Sequence, residues 1–337
     1  MLLTLLGTWL TRGDWCLTFV LVKLNEKLSQ KVIDVKDCNK NLGANYVFLG
    51  GVPRSGTTLL QRIMGAHPDF YAGPEFDFIP GGLMNLRHQM RKAIESGRIS
   101  QIVDEPTLDK AFRRFLSGIF QKKLAREGKS LFCEKTPASA LHFQDLERIF
   151  PESSFIAVIR DPRDVANSMK MVKRKTIAKG VRPPRFVRSV TASIEEMNRF
   201  FEAIDYSCAN SSRVHLVHYE DVLSDPEREV RRICRLLEID FSERMLDIDS
   251  SDWQMPRNSD DFWYSQEHLK TGIQKSGVIS DFILNTAEIK LVERFVEDFD
   301  FLHRYDLRSC SANAMDKLNW HLGKVQKAGL FMPKRKL

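Results

Sequence analysis

The chain has 337 residues, 43% of them hydrophobic, which is enough to bury a substantial core and, at roughly 150 residues per domain, to hold one large domain or two; one large α/β unit is expected. A formal charge of +7 and a pI near 9.0 favour anionic ligands. No zinc finger, basic zipper or aromatic-interleaved basic motif points to nucleic acid; six scattered cysteines without C-x-x-C and eight histidines without H-E-x-x-H leave no metal or dithiol redox motif.

Residues 1–44 open with MLLTLLGTWLTRGDWCLTFVLVKLNEK, an apolar run that Arg12 and Asp14 split into pieces shorter than the roughly 20 residues that span a bilayer. It lacks the basic start and cleavage site of a secretory signal. A helical extension that packs or lies on a membrane surface is expected, with a weak signal anchor as the alternative. Tyr46–Leu49 reads as a strand and Thr57–Ala66 as a helix ending before His67-Pro68. Gln89–Glu95 belongs to a polar helix, Leu108–Arg126 to a long one stopped by Gly128, and Leu131–Cys133 to a brief strand feeding Glu134-Lys135-Thr136-Pro137.

Phe155–Ile159, FIAVI, is the clearest strand, closed by Arg160-Asp161-Pro162 and followed by a helix from Arg163 to about Lys173. After a break at Gly180–Pro184 come a helix over Ser189–Ala203, a strand at Val214–His218, and a helix over Glu227–Leu237 with acidic residues in its first turn. Trp253–Lys275 reads as a loop, and residues 306–337 as an extension with a basic Lys334-Arg335-Lys336 tail. Strands separated by helices predict, over residues 45–305, a P-loop-like three-layer α/β/α fold with a mainly parallel central sheet. Ligands of such sheets sit at the carboxyl ends of the strands.

Gly51-x-x-x-x-Gly56-Thr57-Thr58 has the glycine spacing of a Walker loop, with Thr57 at the lysine position. The glycines let backbone N–H groups converge on an anion, and the next helix adds its N-terminal donors. Arg54 returns a positive charge to the loop, and Ser55, Gly56, Thr57 and Thr58 complete the cradle. Farther on, Arg160 ends a strand and Ser168 lies eight residues later on a helix, a pair able to grip a phosphate. The segment VHYEDVLSDPE puts Tyr219 at another strand end, where it either lines a nucleotide site or packs in the core.

Pro53–Leu59, PRSGTTL, resembles the 5′-phosphosulfate loop of sulfotransferases that use 3′-phosphoadenylyl sulfate (PAPS), and Arg160 with Ser168 resembles the pair that binds its 3′-phosphate. The stretch HPDFYAGPEFDFIP is similar to the H-P-D…G-E-E-T-R-x-I-P segment of tyrosylprotein sulfotransferases, in which the second glutamate is the catalytic base; it falls on Glu75. The neighbouring arginine of that family is Asp77 here, which disfavours an acidic peptide acceptor. Lys135, in CEKTP, resembles the lysine that stabilises charge on the leaving oxygen. Cys133 also matches, but its disulfide partner in that family is Ala72 here, so the bridge cannot form that way.

Lys275 and Ser276, in GIQKSGVI, resemble a phosphate-contacting lysine and a late active-site serine. The resemblance implies PAPS as donor without a metal, and an acceptor hydroxyl on a protein tyrosine, a glycan or a small alcohol. It leaves a homodimer open, and without the disulfide a cytoplasmic location is expected, with Golgi lumen or membrane as the alternative. A P-loop kinase and a nucleotide-binding protein without turnover are the competing readings.

Overall fold

Six consecutive buried residues, Tyr46–Gly51, form β1 in the middle of a five-stranded sheet. Its side chains alternate: Tyr46 and Phe48 enter one hydrophobic core, Val47 and Leu49 another on the opposite face. A strand buried on both faces needs helices on both sides, which accounts for three layers. The computed structural model describes residues 45–250, 273 and 282–307, all within the unit Ala44–Leu337. The N-terminal apolar run, the basic tail and all of the 253–275 loop except Ile273 lie outside the described residues.

In chain order the elements are α1 (Thr57–Ala66), β2 (Phe70–Ala72), α2 (Met84–Glu95), α3 (Glu105–Glu127), β3 (Leu131–Lys135), α4 (Phe143–Ile149) and β4 (Ser154–Ile159). They continue with α5 (Pro162–Ala178), α6 (Val190–Asn210), β5 (Val214–His218), α7 (Tyr219–Ser224), α8 (Pro226–Leu236) and α9 (Thr286–Phe295). The strand order is β2-β3-β1-β4-β5 and every pairing is parallel. The chain leaves β1 toward β2 and β3 on one side and returns to β4 and β5 on the other, so the switch point lies beside the carboxyl end of β1.

Helices α1 and α8 cover one face, through residues such as Ile63, Met64, Val230 and Ile233. Helices α3, α4, α5 and α6 cover the other, where Phe48 stacks on Phe155 and Phe120 on Phe132. Several boundaries differ from those expected. β3 continues through Glu134 and Lys135, α2 begins at Met84, and α5 and α6 extend to Ala178 and Asn210. β2 carries no period of its own and forms because Phe70, Tyr71 and Ala72 pair with Leu131, Phe132 and Cys133.

The helix starts follow capping chemistry. Asp104 accepts the N–H of Thr107 at 2.8 Å ahead of α3, and Asp161 accepts that of Arg163 at 2.8 Å ahead of α5, with Pro106 and Pro162 in the first turns. Capping by Asp161 lets α5 begin two residues after Arg160, which therefore stays at the tip of β4.

Arg87 of α2 is buried between Asp109 of α3, at 2.7 Å, and Asp145 of α4. Removing the cation alone strands Asp109, while Asp145, 35% exposed, keeps Arg91 at 4.0 Å. Arg87→Leu is expected to lose about 3 kcal/mol of stability in chemical denaturation; a loss within the scatter of surface substitutions would refute this ion triad.

Candidate active site

The turn after β1 is shaped by two glycines. Gly51 has φ 147°, and a Cβ added to it would lie 2.6 Å from the Val158 carbonyl oxygen and 3.0 Å from Ser55 Oγ. Gly56 has φ 100°, and its Cβ would lie 2.2 Å from the Tyr219 ring. Glycine is required at both positions because the loop packs directly on the β4 backbone at Val158 and on the Tyr219 ring. Arg54, between them, takes φ 80°, a left-handed conformation costly for a residue with a Cβ. Helix α1 starts at Thr57, and no side chain caps it from Gly56, so its first-turn donors face the loop.

Three cations from three parts of the chain converge on this loop. Arg54 Nε donates to Ser168 Oγ at 3.0 Å, joining the glycine loop to α5. The buried Lys135 ammonium donates to Thr58 Oγ1 at 3.4 Å and pairs with the Glu75 carboxylate. Arg160 lies over the Tyr219 ring, 4.4 Å from its centroid, and pairs with Asp164 at 3.3 Å. Tyr219, for which two roles were open, is both buried in the core and wedged between Gly56 and Arg160.

Two buried polar atoms here, Ser55 Oγ and Arg160 Nε, have no hydrogen-bond partner among the described residues. Buried donors are ordinarily satisfied. Both belong to the loop and the arginine–serine pair, so a phosphate-bearing ligand fits the residues present. Among the described residues no group of three metal-binding side chains occurs. Lys275 and Ser276 lie outside the described residues.

Glu75 follows β2, and its segment is fastened from both sides. Gln61 of α1 donates to the Gly73 carbonyl, and the Phe76 N–H donates to Thr136 Oγ1 at 3.0 Å. The Thr136 hydroxyl in turn donates to Glu134 at 2.6 Å, and Ser139 donates to the other Glu134 oxygen at 3.0 Å. Glu134 is buried, and burial pushes its carboxyl up to about 7 against the pull of these bonds. The sequence reading missed this residue; a glutamate followed by Thr and Ser two and five places on was its only trace. Asp77, solvent-exposed, has its carboxyl raised by the packing around it and by the charge of Glu75.

The Glu220 and Asp221 carboxylates turn out to be fasteners. Glu220 accepts the Asp161 N–H at 3.0 Å and the Tyr305 hydroxyl at 2.7 Å, while Asp221 binds Arg304 at 2.6 and 2.7 Å. They hold the described C-terminal segment to the tips of β4 and β5. His218, enclosed in the same network, is pushed down to about 4, first by burial and then by Arg304. Cys133 sits opposite Ala72 in the β2–β3 register and is a free thiol, raised by burial.

A family model described as the sulfotransferase family matches residues 46–243. Protein-tyrosine sulfotransferase 1 of Danio rerio is 33% identical over 202 residues, 59% of this chain and 55% of that protein. Protein-tyrosine sulfotransferase 1 of Homo sapiens is 32% identical over 203 residues, again 59% of this chain and 53% of that protein. The chain thus spans about half the length of each. Among solved structures, the sulfotransferase domain of the Synechococcus PCC 7002 olefin synthase is 22% identical, with a TM-score of 0.42, covering 75% of this chain and 94% of that one.

Glu134 gives a pH dependence of defined sign. Below its ordinary 4.5 the acid is neutral in both folded and unfolded chains, and as pH rises through about 7 the folded protein alone must carry a buried charge. Stability contributed by the neutral acid is therefore lost between about pH 4.5 and 7, by up to about 3 kcal/mol. Glu134→Gln, which cannot ionise, is expected to flatten this part of the stability profile relative to the parent in calorimetry. Parallel profiles would show that the Glu134 carboxyl titrates alike in the folded and unfolded chains.

Proposed function

We propose that this chain, which belongs to the sulfotransferase family, transfers a sulfuryl group from PAPS to an acceptor hydroxyl, with a protein tyrosine as acceptor. The observation that carries the reading is Lys135, whose one ammonium group contacts both Thr58 of the phosphate loop and the carboxylate of Glu75. A base and an anion cradle within reach of the same cation are what transfer from a phosphate leaving group to a hydroxyl requires.

The backbone of Arg54–Thr58 would hold the phosphosulfate end of the donor, and Arg160 with Ser168 its 3′-phosphate. PAPS supplies a sulfuryl group activated by a phosphate leaving group. Glu75 receives the proton of the acceptor O–H. Lys135 places positive charge beside Thr58, where negative charge develops as the nucleotide departs. Arg54, held by Ser168, keeps a second charge on the loop. Positioning and charge stabilisation then supply the rate enhancement, as expected for a loose in-line transfer.

Glu75→Gln tests the assignment. Labelled PAPS with tyrosine peptides should show kcat reduced on the order of 10²- to 10⁴-fold, while adenosine 3′,5′-bisphosphate is still bound, because Glu75 reaches the phosphate loop only through Lys135. Unchanged transfer would remove Glu75 from the base role, and no transfer by the parent protein to any hydroxyl acceptor would overturn the function.

Asp77 bears on which tyrosines are used. A carboxylate beside Glu75 repels acidic flanking residues and attracts basic ones. The parent should prefer peptides with Lys or Arg beside the tyrosine over those with Asp or Glu by about tenfold in kcat/KM, equivalent to about 1.4 kcal/mol. Asp77→Arg should reverse the order. Equal use of both peptide sets by parent and variant would exclude Asp77 from acceptor selection.

A further inference from the structure

Between Asp164 and Glu195 the chain has no carboxylate and eight cations, from Lys170 to Arg188. Of the 51 basic and 44 acidic residues, 43 and 44 lie elsewhere, so this one stretch carries the whole net positive charge. A helix end attracts a few cations to its last turn. Here the run continues past the end of α5 at Ala178, through Arg182, Arg185 and Arg188. Lys170, nearest the candidate active site, pairs with Glu288 of α9 at 2.5 Å. Arg174, Arg182 and Arg185 are exposed and pair with no carboxylate among the described residues.

The tip that bears these arginines is fastened by hydrogen bonds. The Gly180 N–H donates to the Ile177 carbonyl and the Val181 N–H to that of Thr176, both at 2.9 Å, which closes a Schellman turn. Arg188 Nε donates to the Pro183 carbonyl at 3.0 Å and holds the segment that follows. In such a turn the residue after the glycine commonly packs back on the helix. Val181 instead stays 44% exposed, and Ile177 is 57% exposed. Arg174, Ile177 and Val181 follow at spacings of three and four, so two branched apolar side chains stand in water on the same side as a cation.

We propose that this tip docks on an anionic phospholipid surface, with Ile177 and Val181 entering the headgroup layer and Arg174, Arg182 and Arg185 meeting the lipid anions. The combination of side chains selects the occupant. An acidic peptide or polysaccharide would answer the cations but has no use for the exposed Ile177 and Val181. An apolar segment would cover those two and leave the cations unanswered. A surface that is negative outside and apolar just beneath answers both.

The contact is peripheral, since no helix among the described residues is long and apolar enough to cross a membrane. Ser168 of the candidate active site lies nine residues before Ile177 on α5, about 14 Å along the helix axis, so the tip is separate from the anion cradle. Docking of this kind is independent of the sulfotransferase reading.

The full chain is tested by co-sedimentation with vesicles of phosphatidylcholine with and without about 30% phosphatidylserine. The parent should bind the anionic vesicles more tightly, and less so as salt rises. Arg182→Glu with Arg185→Glu should weaken that binding by about tenfold or more, whereas Arg182→Lys with Arg185→Lys should bind as the parent does. Ile177→Ser with Val181→Ser should weaken it by about tenfold and leave retention on heparin, a polyanion without an apolar layer, unchanged. All these residues are exposed, so Tm should stay at the parent value in each variant.

A parent without preference for the anionic vesicles overturns the proposal. So does a charge-reversed variant that binds them like the parent, which would place the contact elsewhere on the chain. An Ile177→Ser, Val181→Ser variant that keeps full vesicle binding would reduce the tip to a site for soluble polyanions and overturn docking on lipid.

Discussion

The arrangement of the candidate site rests on the register of β1 between two parallel neighbours. Leu49 lies opposite Lys135 of β3, and Gly51 opposite Val158 of β4. Because parallel strands all end on the same side, whatever follows their carboxyl ends must meet there: the Arg54 loop after β1, Lys135 at the end of β3, Arg160 after β4 and Tyr219 after β5. The alternation of a strand then sorts adjacent residues. Lys135 turns to Thr58 and Glu75, while Glu134 turns the other way, to Thr136 and Ser139. A slip of one residue in β3 would exchange a cation for a carboxylate beside the loop.

Keeping charges at this point is costly, and the surroundings show how the cost is met. Lys135 and Arg160 are buried, Arg54 occupies a strained backbone conformation, and two polar atoms have no partner among the described residues. These features persist because the surrounding structure leaves them no alternative. Aromatic packing of Phe48, Phe150 and Phe155 stiffens the sheet behind the loop. The Glu220 and Asp221 contacts fasten the tips of β4 and β5 from the far side. Glu134 is part of the same scheme: buried, it organises the Thr136 hydroxyl that holds the Phe76 backbone, and through it the segment bearing Glu75.

What could be read from the sequence was what is local in it. The glycine loop, the FIAVI strand with Arg160, and the spacing to Ser168 are each contained in a few turns of chain, and the fold class follows from alternating strands and helices. Residues whose role exists only across the sheet were not legible. Glu134 looks like the middle of a turn until β3 is seen to continue through it. Glu220 looks like a helix-start acid until Tyr305, 85 residues later, is found on its carboxylate. β2 is invisible by itself because its three residues become a strand through pairing with β3. Glu75 was found through its flanking residues, yet its contact with Lys135, sixty residues away, needed the structure.

The substitution of Thr57 for the Walker lysine finds its physical account here. A loop lysine reaches its phosphate from the first turn of the helix that follows the loop, and it serves a metal-bound polyphosphate. In this chain the equivalent charge comes from the neighbouring strand: Lys135 approaches Thr58 sideways across the sheet, and Arg54 from within the turn. A cation delivered from β3 is held by that strand's register and contacts Glu75 as well as Thr58, so its position is coupled to that carboxylate. A lysine on α1 would lack that coupling. The glycine cradle is thereby kept while its charge is tied, through β3, to the carboxylate of Glu75.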